Sequence, residues 1–206
     1  MKARPILMSA PMVRALLDGR KTQTRRLVKP PKQWAKVFPI ADPTAVTAPH
    51  ILWWWDGKHD RVGVSQCCPY GAPGDRLWVR ETWKPHSLYA GMMPSEIPRT
   101  PVFYCADESY APSNTPRNPS LFMPRWASRL TLEITEARVE RLQDISEADA
   151  LAEGIERLRF PEVGDWGWPQ ARYRALWESI NGPGSWDANP CVWVMTFNVH
   201  KQNVDA

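Results

Sequence analysis

Cysteine and histidine are scarce in this chain, with four of each among 206 residues. Cys67 and Cys68 are adjacent while Cys105 and Cys191 stand alone, so there is no disulfide framework and no CxxC spacing for zinc or redox chemistry. His50, His59, His86 and His200 are isolated, and only His59-Asp60 offers neighbouring donors, so no metal or other cofactor is expected. No segment approaches the ~20 apolar residues of a membrane span. Behind Met1-Lys2-Ala3-Arg4-Pro5 there is no apolar run of signal-peptide length, and the expectation is a soluble, cytoplasmic chain without a membrane partner. One-sided charge is also missing. A net charge of +4 permits a polyanionic partner without demanding one. Internal repeats and a βαβ rhythm are absent, which argues against a doubly wound sheet.

What is present is a core and a concentrated charge cluster. The 43% hydrophobic content and twelve tryptophans are ample for a single domain of this length. Gly19-Arg20-Lys21-Thr22-Gln23-Thr24-Arg25-Arg26 carries four cationic side chains and two threonine hydroxyls in eight residues. Ahead of it, Ser9 reads as an N-cap, Pro11 fits the first turn, and Met12, Val13, Leu16 and Leu17 form an apolar stripe. Gly19 then ends the helix. In the extended piece that follows, Thr22, Thr24 and Arg26 share one face, while Lys21, Gln23 and Arg25 share the other. Bringing Lys21 to Thr24 therefore needs a bend.

Periodicity fails from Pro30 to about Gly74, a stretch that includes Trp53-Trp54-Trp55. At most two of these tryptophans share a face, and packing is a better reading for them than a nucleobase pocket. Pro73-Gly74-Asp75 signals a turn before a strand from Arg76 to Trp83. Residues 85–124 hold eight prolines and one convincing strand, Val102 to Ala106. A loop this long and aromatic reads as an ordered lid. Later, Leu130 to Val139 alternates as a half-buried strand. Ser146 and Asp149 have capping-box spacing, Ile145 and Ala150 fit a hydrophobic staple, and Gly154 closes the short helix. A further helix spans about Pro169 to Ile180, with Tyr173, Leu176, Trp177 and Ile180 on one face, and Val192 to Val199 is a closing strand.

The segments SAPMVRALLDGRKTQTRR, PGDRLWVRETW, MPRWASRLTLEIT, LQDISEADALAEGI and WVMTF together resemble the ASCH domain family, in its longer, phage- and prophage-associated branch. The matches run from about residue 4 to residue 199. This resemblance implies an α+β fold: a PUA-like small mixed β-barrel with flanking helices, here one domain over 1–206 with long Pro/Trp-rich loop insertions at about 30–74 and 85–124. It also implies RNA or a modified pyrimidine nucleoside as partner. One bacterial group of the family is an amidohydrolase that removes the acetyl group of N(4)-acetylcytidine with a lysine, a threonine and a glutamate. By the GRKTxT and ExxAxxEG strings, those positions look like Lys21, Thr24 and Glu153. The characterised amidohydrolases are about half this length and lack the tryptophan-rich insertions.

The chemistry behind that trio can be stated from the residues. A threonine attacks only if a base takes its proton, and a lysine is such a base only when neutral. Burial and the neighbouring Arg20, Arg25 and Arg26 lower a lysine pKa. Glu153 ends a helix, where the macrodipole disfavours a carboxylate by roughly 0.3–1 kcal/mol, and Asp149 lies one turn back. Both favour a protonated general acid for a leaving amine. Thr24 as nucleophile and a Lys21-activated water with Thr24 polarising the carbonyl are equally allowed. Arg20, Thr22, Arg25 and Arg26 are the neighbouring binding candidates. Arg125, Trp126 and Arg129 form either a stacking platform or a core tryptophan with snorkelling arginines. Glu81 either faces the barrel mouth or pairs with Arg80 or Arg76. The leading reading is amide hydrolysis on an N(4)-acylated cytidine. The alternative is a non-catalytic RNA-binding module using the same basic residues, and an RNA-cleaving enzyme is third.

Overall fold

The computed structural model describes residues 2–29, 40–41, 52–55, 61–63, 68–107, 115–156 and 168–206, with backbone alone given for the short strands between 40 and 63. The Trp53–Trp55 side chains, His50, His59, Asp60 and Cys67 lie outside the described residues.

Five strands form the main sheet: β1 (Ala3–Leu7), β2 (Gln23–Leu27), β6 (Arg76–Arg80), β9 (Thr131–Arg141) and β10 (Cys191–His200). Their order is β1-β6-β9-β10-β2, with β1 and β6 parallel and every other neighbouring pair antiparallel. A small antiparallel sheet joins β3 (Ile40–Ala41), β4 (Leu52–Trp55) and β5 (Arg61–Gly63), and β7 (Trp83–Lys84) pairs with β8 (Phe103–Tyr104). Among the described residues three α-helices complete the α+β fold: α1 (Ala10–Leu17), α2 (Glu147–Ala152) and α3 (Pro169–Asn181). None of the described helices is long and apolar enough to cross a membrane.

The expected closed barrel is not formed by the described strands. β1 and β2 remain the two edges of an open sheet, with no ladder between them. The edges do approach, and one side chain bridges them. Arg26 of β2 donates through Nη2 to the Leu7 carbonyl of β1 at 2.9 Å. Two strand expectations also shorten. The run from Arg76 to Trp83 breaks after Arg80, and the run from Val102 to Ala106 keeps only Phe103–Tyr104. Side chains interrupt the first run: the Glu81 amide faces the Met123 sulfur at 3.3 Å instead of a ladder carbonyl.

β10 shows why the sheet holds together. Trp193, Met195 and Phe197 belong to a core with Val13 and Leu16 of α1, Leu77 of β6, and Leu132 and Ile134 of β9. Val192 and Val194, pointing the other way, pack with Ala150 of α2 and Tyr173 and Trp177 of α3. Helices therefore cover both faces of this strand, and its four residues Val192 to Met195 are all buried. Burial of each such apolar side chain stabilises the fold by about 1.5–3 kcal/mol.

The three helix expectations hold, with one detail altered. Ser9 occupies the N-cap of α1 but its hydroxyl makes no cap hydrogen bond. Ser146 and Asp149 form the full capping box of α2. α1 and α2 end alike, in Schellman motifs. Gly19 N and Arg20 N donate to Leu16 O and Ala15 O, and Gly154 N and Ile155 N donate to Leu151 O and Ala150 O. Gly19 and Gly154 have φ of 73° and 90°, the left-handed region that these motifs require. The two helix ends meet, since Thr22 N donates to Ala152 O at 2.8 Å.

Candidate functional site

Lys21 follows directly from the turn that ends α1, and Glu153 is the C-cap residue of α2. An isolated antiparallel bridge pairs the two residues. Lys21 Nζ donates to Glu153 Oε2 at 2.7 Å and to the Glu153 carbonyl at 2.9 Å. The ammonium thus neutralises the side chain and caps the helix end that carries it. Both side chains are buried, Lys21 completely. Gly154 makes the approach possible, because a Cβ there would stand 2.8 Å from Ala15 Cβ and 3.2 Å from Lys21 Cβ. Burial pulls the Lys21 pKa below the ordinary lysine value; Glu153 opposes this, and Arg26 and Arg25 reinforce it.

Alternation along β2 decides the rest. Gln23 and Arg25 pair across the ladder with Thr196 and Val194, on the face covered by α2 and α3. Arg25 is buried among carboxylates: Nη2 lies 3.1 Å from Glu140 Oε2 and 3.3 Å from Asp149 Oδ2, and Nη1 lies 3.6 Å from Glu153 Oε1. Gln23 Oε1 accepts from Arg25 Nη1 at 2.5 Å. Among the described residues Arg25 Nε has no acceptor. Tyr173 of α3 donates its hydroxyl to Glu153 Oε1 at 3.4 Å, and its burial raises the phenol pKa strongly.

Thr24 and Arg26 face the other way, opposite Met195 and Trp193. Thr24 is fully buried, and its hydroxyl accepts from Arg26 Nη1 at 3.0 Å. Lys21, Glu153 and Arg25 are therefore brought together, whereas Thr24 is joined to Arg26 and makes no hydrogen bond to Lys21. Thr22 is exposed between them.

A cavity of ≈ 750 Å³ opens along the seam between the β1 and β2 edges. Glu153, Tyr173 and Trp177 reach it from one side, Met8 and Tyr70 from the other, and Arg25, Arg26 and Lys29 from β2 and its continuation. Neither Lys21 nor Thr24 lines it. A second cavity of ≈ 530 Å³ shares Glu153 and holds Arg20, which pairs with Asp18 at 2.8 Å and Glu156 at 3.3 Å.

The remaining candidates are elsewhere. Arg129 grips Glu81 with two hydrogen bonds of 2.9 and 3.0 Å, donates to Asp107, and stacks on Tyr104 at 3.9 Å. Glu81 is thus paired with Arg129 and not with Arg80 or Arg76; burial raises its pKa and Arg129 opposes that. Arg125 pairs with Asp205 at 2.5 Å, and half-buried Trp126 packs on the cluster of Trp83, Ile97 and Met123. Neither cavity is lined by Glu81, Arg125, Trp126 or Arg129. No group of three or more His, Cys, Asp or Glu side chains suited to a metal ion occurs among the described residues.

Sequence reasoning missed Tyr173, Trp177 and Glu140 as neighbours of the site. The first two share one face of the α3 pattern, and the signal that face carries is its polar tips, a phenol and an indole N–H. Glu140 left no local signal, because only the β9–β10–β2 register carries it to Arg25. Compared with known proteins, the chain matches no family model, no curated protein and no solved structure.

Proposed function

We propose that this protein hydrolyses a linear amide on a modified pyrimidine nucleoside, of the N(4)-acylcytidine type, in the cavity at the β1–β2 seam. The observation that carries the reading is the buried Lys21–Glu153 pair, which presents one carboxylate to a cavity walled by aromatic rings and cations. A concave site with few convergent polar groups and a perturbed lysine is the usual setting for such chemistry. The resemblance to the ASCH domain supplies the substrate class.

Of the two routes open to these residues, attack by water fits the placement better. Glu153 lines the cavity, whereas the Thr24 hydroxyl is buried and engaged by Arg26. Water adds to the amide carbonyl carbon as the Lys21–Glu153 pair accepts its proton, and the carbonyl oxygen becomes an oxyanion. Arg25, beside Glu153 and shared with Glu140 and Asp149, is an adjacent cation that offsets part of that charge. Collapse breaks the C–N bond, and the pair returns the proton to the departing exocyclic nitrogen. The products are the carboxylic acid and cytidine. Lys21 holds Glu153, and Thr24 holds Arg26.

The test is acetate release from N(4)-acetylcytidine, with cytidine followed by chromatography. Glu153→Gln should abolish turnover while the protein stays folded. Thr24→Val should lower turnover by less than about tenfold if Thr24 only positions Arg26, and abolish it if Thr24 is the nucleophile. Wild-type protein that releases no acetate from this substrate defeats the reading. The second reading is RNA binding without chemistry, favoured by the cations Arg26 and Lys29 at the cavity. It requires affinity for RNA that falls with salt and survives Glu153→Gln.

A further inference from the structure

Charge is distributed unevenly between the two cavities. In the smaller one, Arg14, Arg20 and Arg172 stand against Asp18, Glu153 and Glu156, and the signs balance. Among the described residues the larger one holds Arg25, Arg26 and Lys29 against Glu153 alone. Arg25 is already neutralised by Glu140 and Asp149. Arg26 is not. Its half-buried guanidinium donates to Thr24 Oγ1, the Arg25 and Leu7 carbonyls and the Met8 sulfur, at 3.0, 3.0, 2.9 and 3.6 Å. All four acceptors are neutral, and among the described residues no carboxylate pairs with it. These contacts fix the orientation of the guanidinium and leave its charge uncompensated. A neutral amide would serve as well for tying β1 to β2. The charge itself is left for something that enters the cavity.

Two further cations follow the same line. Lys29, exposed, lines the cavity two residues beyond the end of β2. Arg80 is in register with Leu7, the residue whose carbonyl holds Arg26, and it stacks on Trp78 at 4.5 Å. Its Nη1 donates to Leu121 O at 3.0 Å, next to Ser120, which lines the cavity. None of the three forms an ion pair among the described residues.

We propose that the seam cavity takes its pyrimidine as a phosphate-bearing nucleotide, with Arg26 as the phosphate anchor. The inference rests on the reading above only in taking the ligand to be a pyrimidine. It adds that the ligand is an anion and that a bare nucleoside leaves Arg26 unmatched. Of the five N–H donors of Arg26, Nε–H and the Nη2–H that meets the Met8 sulfur at 3.6 Å are the ones a phosphate can take, and the partly apolar cavity strengthens such charge-assisted bonds. Lys29 at the cavity and Arg80 beside Leu7 are the cations available to further phosphates of a strand.

The test is calorimetric affinity of the wild-type protein for cytidine, cytidine 5′-monophosphate and a short oligocytidylate, at low and at high salt. The monophosphate should bind at least about tenfold tighter than cytidine at low salt, and the difference should shrink as salt rises. Arg26→Gln, which keeps an amide donor and removes the charge, should abolish the preference. Should that variant fail to fold, Arg26→Lys keeps the charge without the fork and should show a reduced preference. Equal affinity for cytidine and its monophosphate overturns the proposal, as does a preference unchanged in a folded Arg26 variant. An oligocytidylate tighter than the monophosphate, with a steeper salt dependence, upholds it with a strand as the source. Equal affinity of those two upholds it with a mononucleotide.

The assay needs no turnover, so the two readings fail separately. Acetate release without a phosphate preference defeats only this proposal. A phosphate preference without acetate release defeats only the hydrolase. Binding of none of the three compounds defeats this proposal, and acetate release alone decides the hydrolase.

Discussion

At the scale of single residues, the Lys21–Glu153 pair is where stability and proposed chemistry meet. Two buried opposite charges compensate each other, and removing one leaves the other stranded. Lys21→Met should therefore destabilise the fold by about 3–5 kcal/mol, whereas a joint Lys21→Met and Glu153→Leu replacement should recover much of that loss. Denaturant midpoints of the two variants check this. If the double variant is no more stable than the single one, the pair is not the source of the penalty. Asp75 offers a pH test away from the cavity. The Lys2 amide at 2.8 Å, with Arg4 at 3.0 Å, lowers its carboxyl from 3.8 to about 2. A lowered folded-state pKa means stabilisation that is complete above 3.8 and is lost as pH falls through about 2. The stability gap between wild type and Asp75→Asn should accordingly narrow between pH 5 and pH 2, while a gap that stays constant would show that Asp75 does not titrate in this window.

At the scale of elements, the ends of the helices matter more than their middles. Both α1 and α2 stop in Schellman motifs, and those stops set where Lys21 and Glu153 emerge. Gly154→Ala combines a positive φ with a contact of 2.8 Å to Ala15. It should cost about 2–4 kcal/mol, roughly 1 from the backbone and the rest from overpacking, and should lower turnover by parting Lys21 from Glu153. Gly19→Ala meets nothing within 4 Å and should cost only the backbone share. Unfolding curves of the two variants give the comparison; equal costs would mean that the close packing at Gly154 is immaterial. The caps and turns behind these ends were legible in the sequence, since Ser146, Asp149, Gly19 and Gly154 act through neighbours one to five residues away. The face assignment of β2 was legible too. Arg26 bonds to Thr24 and Arg25 to Gln23, as period-two alternation requires. The bend expected to bring Lys21 to Thr24 does not produce a hydrogen bond between them, because Thr24 faces Met195 on the far side of the strand from Arg25.

At the scale of the whole molecule, the open seam is the organising feature. A closed barrel would place ladder hydrogen bonds where β1 and β2 face each other; here one guanidinium spans the gap at 2.9 Å and the cavity occupies what remains. A ligand in that cavity touches both sheet edges and α3, so its binding should stabilise the fold as a unit. For cytidine 5′-monophosphate at a hundredfold its Kd, linkage gives about 2.7 kcal/mol, which for a chain of this size is a rise in Tm of roughly 5–11 °C. Thermal melts of wild type and Glu153→Gln with and without the nucleotide measure it. No rise in the wild type at saturating ligand would mean that the seam is not the binding site.

Composition, periodicity and capping signals by themselves determined the mixture of helices and strands, the limits of α2 and α3, the two faces of β2 and the cluster of cations after Gly19, because each depends on residues close together in the chain. Tertiary structure alone decided that the sheet of described strands stays open, that Arg129 and not Arg80 or Arg76 holds Glu81, that Glu140 and Asp149 neutralise Arg25, and that Arg26 beside the cavity pairs with no carboxylate among the described residues. Those outcomes depend on strand order and on partners such as Arg25 and Glu140, 115 residues apart. Local patterns say which side chains can face inward, and only long-range pairing chooses what they meet there.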